Sequence, residues 1–419
     1  MRIDDIKKKI NSLDFVGLYS DKEHARARLA ALADSFARKY GERDEAILLS
    51  APGRSEICGN HTDHNKGVAI AAAIDRDIVA IASPTKDGVI RVQSEGRRED
   101  RFTVNAASNP NNFPKQRSIS LIAGVVAGFM KSGYKVGGFD AYTTTDVLSG
   151  SGLSSSAAFE VMIGSILNHL YNGGSIDMKE IARISQYAEN EYFGKPCGLL
   201  DQTASAVGGF VYMDFGSDDP IVEPIGFSLD GAGYKLAIVG TGGSHADLTD
   251  DYASIPREMK AVAAALGKQY MREVSREELE ASVPKLHGRV SDRAIMRALH
   301  FVRECERVED MHAAIKCGDM DKILKLHRES GHSSFEYLQN VFTPKHADQG
   351  LSLAIALSDG YIKDKKASVR VHGGGFAGTI QALLPAEIAD GYAALMDSVF
   401  GKGACMLLSV RPYGAIRII

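Results

Sequence analysis

The chemistry in this 419-residue chain starts from a stretch rich in glycine and serine: Gly150, Ser151, Gly152, Leu153, Ser154, Ser155 and Ser156. An apolar segment with helical spacing follows at residues 159–167. A glycine-rich loop that enters a helix presents free backbone N–H groups and the positive end of the helix dipole, which together favour phosphate. The serine hydroxyls can bind phosphate oxygens or magnesium. An ordinary serine-capped helix has the same pattern, so this segment alone leaves both interpretations open.

A second cluster of polar side chains follows the segment Ala51-Pro52-Gly53-Arg54 and includes Asn60, His61, Asp63 and His64. The pattern predicts a Pro-Gly turn that presents Arg54 and a second turn that presents the other side chains. So many donors and acceptors at one place suit a polyol such as a sugar. A solvated polar loop is the alternative. The spacing differs from the helical i, i+4 histidine pair of a zinc site, so we do not expect a metal here.

Two carboxylates form a third group. Glu189 lies near the end of a predicted amphipathic helix, and Asp201 lies in an apolar stretch after Pro196 and Gly198. A buried carboxylate is costly unless a cation or a metal pairs with it. Asp201 is therefore a candidate base with Arg54 as its partner, and Glu189 is a candidate magnesium ligand. Taken singly, the two residues also fit a helix-surface glutamate and a capping aspartate.

The fourth motif is a glycine-rich hairpin, His372-Gly373-Gly374-Gly375, between two strand-like runs. Glycines at such a place allow another backbone or a phosphate to approach closely. This motif indicates a functional site only when it is combined with the other three.

Composition excludes several functional classes. The formal net charge of −4 provides no basic footprint for nucleic acid or an anionic membrane. We find no run of about twenty apolar residues and no apolar N-terminal signal segment. Five cysteines are scattered singly, which predicts reduced thiols, a cytoplasmic location and no zinc site.

The elements that must position these motifs occur in clusters of strands and clusters of helices. This order favours an α+β, two-lobed architecture over a doubly wound parallel sheet. A polar turn at residues 216–220 predicts a boundary between an N-terminal domain, residues 1–217, and a C-terminal domain, residues 218–419. Helices are predicted for residues 119–130, 156–170, 178–192, 256–266, 292–308, 311–316 and 322–330. Strands are predicted for residues 46–49, 68–83, 89–93, 101–104, 208–215, 234–239, 368–371, 379–384 and 405–410.

Taken together, the Ala-Pro-Gly-Arg…His-Thr-Asp segment, the Gly-Leu-Ser-Ser-Ser-Ala loop and the Gly-Gly-Gly-Phe hairpin resemble the galactokinase family over nearly the whole chain. This family belongs to a superfamily that also contains homoserine, mevalonate and phosphomevalonate kinases. The resemblance implies a ribosomal-protein-S5-like N-terminal lobe, a ferredoxin-like C-terminal lobe and an active site between them. It also implies an ATP-dependent kinase that phosphorylates the anomeric hydroxyl of galactose with Mg²⁺. We expect the protein to be a monomer or a weak oligomer.

The resemblance implies a role for each motif residue. Asp201 matches the catalytic aspartate, and Arg54 matches the arginine beside the transferring phosphate. The matches to the sugar-binding positions are Asn60, His61, Asp63, Gly198 and Tyr252. Residues from Gly150 to Ser156 match the nucleotide phosphate loop, and Ser156 and Glu189 match the magnesium ligands.

One position departs from the family pattern. Galactokinases usually have glutamate before the His-Thr-Asp sequence, where this chain has Asn60. A carboxylate about 4 Å from a substrate carboxylate would cost roughly 4 kcal/mol at an effective dielectric constant of about 20. Its loss would therefore permit galacturonate, and galacturonate kinase is one alternative function. A non-catalytic sugar sensor is another alternative, although Arg54, Asp201 and the glycine- and serine-rich loop of residues 150–156, here called the serine loop, are all present.

Overall fold

Two β-sheets organise the computed structural model, which describes residues 1–147, 152–242, 248–343 and 347–419. The strands are β1 (Ile47–Cys58), β2 (Val68–Thr85), β3 (Val89–Ser94), β4 (Asp100–Thr103), β5 (Gly138–Thr145), β6 (Phe210–Asp214), β7 (Ile221–Ile225), β8 (Tyr234–Gly240), β9 (Ser368–His372), β10 (Thr379–Pro385), β11 (Cys405–Leu408) and β12 (Ile416–Arg417). The helices are α1 (Ile3–Ser12), α2 (Lys22–Tyr40), α3 (Ser118–Lys131), α4 (Ser155–Tyr171), α5 (Met178–Tyr187), α6 (Leu200–Val207), α7 (Thr249–Ala265), α8 (Arg276–Leu286), α9 (Asp292–Cys317), α10 (Met320–Ser333), α11 (Gly350–Ile362) and α12 (Ala386–Phe400). Within the described ranges, no helix is long and apolar enough to cross a membrane.

The first sheet has the strand order β12-β1-β2-β5-β3-β4, and β6 and β7 extend it from β2. Its pairs are antiparallel except for the parallel pair of β3 and β5. Strand β1 is buried at every position, and side chains that alternate along it enter different cores on the two faces of the sheet. Leu48 and Val79 pack with α1 and α2, whereas Leu49 and Ala80 belong to the main core. Helices α3 to α6 pack together on this main-core side, and α4 and α6 contact β1 and β2.

The second sheet is antiparallel, in the order β11-β8-β10-β9. Helices α11 and α12 cover one face of it, and α10 packs against β9. Between β8 and β9 in sequence, α7, α8 and α9 form a separate apolar cluster centred on Ile255, Leu279 and Phe301. These layers confirm the predicted α+β, two-lobed class.

The predicted division at residue 217 remains a prediction. Strands β7 and β12 lie beyond that residue in sequence and pair within the first sheet. The first sheet therefore extends past the polar turn, and the second sheet begins only at Tyr234.

Several local predictions were wrong. Pro52 and Gly53 lie inside β1 at a register shift and form no turn. Gly53 is required there because a Cβ would lie 2.8 Å from the carbonyl oxygen of Leu153. In the helix predicted for residues 178–192, the α-helical part ends at Tyr187, and a π-helical turn, Ala188–Phe193, follows it directly. The predicted helices at 292–308 and 311–316 are one helix, and strand β5 was not predicted.

Candidate active site

A cleft of 750 Å³ lies where the first sheet meets the helices and hairpin of the C-terminal half. Its walls come from the end of β1 and the loop after it, the start of α6, helix α7 and the β9–β10 hairpin. Of the residues predicted from the sequence, those lining it are Arg54, Asn60, His61, Asp63, Gly198, Asp201 and Tyr252. Residues more than 300 positions apart in the chain thus share one cavity.

Asp201 lies in the first turn of α6, where two side chains donate hydrogen bonds to its two oxygens. Arg54 Nε donates to Oδ1 at 2.7 Å, and Ser154 Oγ donates to Oδ2. About a third of the aspartate side chain, 35%, remains exposed to the cleft. Since a carboxylate oxygen has more than one acceptor site, Asp201 can still receive a hydrogen bond from a ligand hydroxyl.

These contacts determine the protonation state of Asp201. Burial raises the pKa of this carboxyl, but the charge and hydrogen bond of Arg54 and the hydrogen bond of Ser154 outweigh burial. The pKa of Asp201 therefore lies below its usual value. Asp201 is an anion at neutral pH, as an acceptor for a hydroxyl proton must be.

The serine loop approaches the same point from the first lobe. The Gly152 carbonyl accepts a hydrogen bond from Arg54 Nη1, and the Leu153 carbonyl accepts one from the Arg54 backbone N–H at 3.1 Å. Helix α4 begins at Ser155, directly after Ser154, so its free N–H groups start beside Asp201. The predicted phosphate-loop residues Gly150 and Ser151 lie outside the described residues.

The two candidate magnesium ligands are also neighbours. Ser156 Oγ donates to Glu189 Oε1 at 3.1 Å, and Gln202 Nε2 donates to Glu189 Oε2 at 2.8 Å. Lys195 Nζ lies 3.3 Å from Glu189 Oε1. Glu189 belongs to the π-helical turn, a distortion that often occurs at functional sites. A hydroxyl and a carboxylate side by side are hard oxygen donors that fit Mg²⁺.

On the opposite wall, the glycine hairpin holds the polar segment after β1. Asn60 Nδ2 donates to the Gly373 carbonyl at 2.7 Å, and His61 Nε2 donates to the Gly374 carbonyl at 2.9 Å. The backbone of the hairpin thus contacts the loop after β1. Another backbone and a phosphate were the two partners that the hairpin glycines were predicted to allow.

His61 is a neutral hydrogen-bonding group. Its Nε2 carries the proton, because a carbonyl only accepts, and this leaves Nδ1 as an acceptor. Burial lowers the pKa of His61 from 6.5 to about 3. The rings of His61 and Tyr252 pack with centroids 5.0 Å apart. Gly198 fits against Asp63, and any Cβ at position 198 would collide with Asp63 Oδ2.

Helix α9 supports this segment from behind with buried polar side chains. Glu304 accepts the backbone N–H groups of Gly59 at 3.0 Å and Asn60 at 3.4 Å. His300 Nε2 donates to the Asn60 carbonyl at 2.9 Å. The loop is therefore held on both sides, by α9 and by the hairpin.

The sequence predictions missed three charged residues of the cleft: Glu56, Lys195 and Lys260. Glu56 and Lys195 occur inside motifs that were singled out, but neither has a spacing that marks it, and Lys260 lies on helix α7 outside every motif. Glu56 follows Arg54 by two positions on β1, so strand alternation could have indicated that both face the same side.

Known proteins resemble the chain over most of its length. The family description "Galactokinase galactose-binding signature" matches residues 34–84, and "GHMP kinases N terminal domain" matches residues 120–209. Galactokinase from Streptomyces coelicolor is 31% identical over 93% of this chain and 98% of its own length. Human galactokinase is 31% identical over 92% of this chain and 96% of its own length.

Solved structures share the fold. The crystal structure of Lactococcus lactis galactokinase complexed with galactose superposes with a TM-score of 0.80 at 23% identity, covering 93% of this chain and 100% of that one. Mevalonate kinase from Methanococcus jannaschii superposes with a TM-score of 0.63 at 14% identity, covering 88% of this chain and 99% of that one.

Proposed function

The chain belongs to the galactokinase family, and from this premise we propose that it transfers the terminal phosphate of ATP to the anomeric hydroxyl of galactose. The observation that carries the proposal is the meeting of Arg54, Ser154 and Asp201 at one point. This point joins the serine loop, suited to a polyphosphate, to the cleft wall suited to a sugar. Donor and acceptor of a phosphoryl group would therefore meet at this point.

Each residue then has a defined task. Asp201 accepts a hydrogen bond from the anomeric hydroxyl and orients it or takes its proton. Arg54 offsets the negative charge that develops on the phosphoryl group, and the N-terminus of α4 binds the phosphates. The sugar is held by Asp63, His61 and Tyr252, with the Gly198 backbone alongside. Placement and charge neutralisation account for most of the catalysis in phosphoryl transfer.

Ser156 and Glu189 are the residues that would hold Mg²⁺, because their oxygens are adjacent at the beginning of α4. The bound ion supplies positive charge to the phosphates of ATP. Lys195 and Gln202 also contact Glu189, and they neutralise and orient its carboxylate.

We further propose a cytoplasmic protein that acts on small molecules and not on nucleic acid or membranes, as a monomer or weak oligomer. All five cysteines lie in the described ranges and are free thiols, which suits a reducing compartment.

The test is ADP release from ATP and Mg²⁺ with galactose, galacturonate, N-acetylgalactosamine, arabinose and glucose, together with product analysis by NMR. We expect turnover with galactose above the other sugars and phosphate at the anomeric oxygen. Galactose binding without turnover would instead support a sugar sensor, and preference for galacturonate would overturn the substrate.

A further inference from the structure

Glu56 places a carboxylate on the wall of the cleft, four residues before Asn60. Two donors share one of its oxygens: Asn60 Nδ2 at 3.0 Å and Arg370 Nη2 at 2.9 Å both donate to Oε1. The other oxygen, Oε2, has no hydrogen-bond partner among the described residues and is not sealed from the cleft. Only 11% of the side chain is exposed, so few water molecules can reach Oε2.

Asn60, by contrast, has no polar atom left for a ligand. Its Nδ2 donates to Glu56 Oε1 and to the Gly373 carbonyl. Its Oδ1 accepts from Asn340 Nδ2 at 2.8 Å and from Ser334 Oγ at 3.4 Å. The carboxamide thus uses its two N–H groups and both lone pairs within the protein. Asn60 reaches a substrate only through Glu56.

The orientation of Glu56 is fixed from both sides. Arg370 is fully buried, and its Nη1 also donates to the Ile57 carbonyl at 2.8 Å. Register shifts in β1 flank the segment from Arg54 to Glu56, and such bulges re-aim side chains. Oε1 is therefore committed to Asn60 and Arg370, and Oε2 points to the cavity as an acceptor.

We propose that Glu56 Oε2 accepts a hydrogen bond from a hydroxyl of the bound sugar and selects against sugars with a carboxylate there. The inference rests on the proposed function. A poorly hydrated acceptor gains a partner from a hydroxyl and none from a deoxy position. A carboxylate would add a second negatively charged acceptor beside it. The chain thus retains a carboxylate at this end of the cleft although position 60 is asparagine, so the loss of glutamate there does not open the site to galacturonate.

The decisive variant is Glu56→Gln. Since two donors hold Oε1 in place, the glutamine turns its NH₂ group toward the cleft and changes an acceptor into a donor. Turnover is measured with galactose, galacturonate and the 2-, 3-, 4- and 6-deoxygalactoses, and sugar binding by calorimetry. We expect the ratio of kcat/KM for galacturonate to that for galactose to rise by about 10-fold or more. For one deoxy sugar, kcat/KM of the wild-type protein should be about 100-fold below that for galactose, and this difference should shrink by about 10-fold in the variant.

Equal losses on all sugars, with every ratio unchanged, would show that Glu56 only supports the fold and would overturn the inference. If Glu56→Gln does not fold because Arg370 is left unpaired, Glu56→Gln/Arg370→Gln removes both charges and undergoes the same test. Glu95→Gln, at an exposed site in the turn after β3, is the control for loss of a carboxylate. The wild-type protein separates the two proposals: no turnover of galactose rejects the proposed function, whereas normal turnover with unchanged Glu56→Gln ratios rejects the inference alone.

Discussion

Three residues, Arg54, Ser154 and Asp201, combine a cation, a hydroxyl and an anion at the base of the cleft. The arginine is 9% exposed, so its charge is not solvated freely and needs the aspartate beside it. The same pairing keeps Asp201 ionised. One contact therefore serves both stability and the proposed chemistry, and a variant must be judged by activity and folding together.

Replacing Asp201 with asparagine removes the anion and keeps the size of the side chain. We expect turnover with galactose to fall by on the order of 10²-fold or more, because a positioned base contributes about that much. ADP release measures the effect, and circular dichroism verifies that the variant is folded. Asp218→Asn, at a fully exposed aspartate, is the matched control. Near-normal turnover of a folded Asp201→Asn protein would contradict the assigned role.

At the scale of elements, the site depends on close contact between the serine loop and the second sheet. A Cβ on Gly152 would lie 2.8 Å from Thr379 Oγ1 and 3.0 Å from His372 Nδ1, on β10 and β9. Gly152 also has a φ of +74°, which side chains rarely adopt. The loop thus packs against the strands that flank the glycine hairpin, directly before α4 begins at Ser155.

Gly152→Ala tests this contact between the serine loop and the second sheet. The added methyl group must displace Thr379 or His372 or move the loop, so we expect KM for ATP to rise by about 10-fold or more. Gly133→Ala is the control, since Gly133 has a φ of +76° and no atom within 4 Å of the added Cβ. That variant should lose only about 1 kcal/mol of stability and keep its KM for ATP. Equal KM values for ATP in both variants would show that the contact is not needed for nucleotide binding.

The whole molecule buries several histidines at the junction of its two halves: His61, His300, His327 and His372. Burial lowers the pKa of each of them, for His327 from 6.5 to about 3. Near pH 6.5 these histidines bind protons in the unfolded chain but not in the folded protein. The stability that depends on the neutral form of the buried histidines is therefore complete above pH 6.5 and is lost as pH falls. Buried Glu160 acts in the opposite direction, because burial raises its pKa well above the usual value.

A comparison of His327→Gln with the wild-type protein isolates one of these contributions. Lowering the pH from 7.5 to 5.5 should cost the variant about 1.4 kcal/mol less free energy of unfolding than the wild type. Urea unfolding at the two pH values measures this difference, in which a loss of packing that does not depend on pH cancels. His332→Gln, at an exposed site, should behave as the wild type. The same pH dependence in His327→Gln and wild type would show that His327 is protonated equally in the folded and unfolded states.

The sequence alone was enough to identify the family, the α+β class and the residues that meet at Asp201. These features are local or depend on residue type: a glycine loop before a helix, an arginine with a carboxylate partner, and hydrophobic periodicity. The residues of each motif are adjacent in the chain, so their spacing carries the chemistry.

Only the tertiary structure decided which polar side chain faces the sugar end of the cleft. Position 60 departs from the family pattern, yet the polar atoms of its carboxamide are hydrogen-bonded to partners up to 313 positions away in the chain, and Glu56 presents the free oxygen. The burial of the polar face of α9 could not be predicted from the sequence either, because Arg297, His300 and Glu304 have the helical spacing of a solvated surface. Whether such a side chain meets water, a backbone or a ligand depends on what the fold packs against it, and sequence spacing contains no record of that.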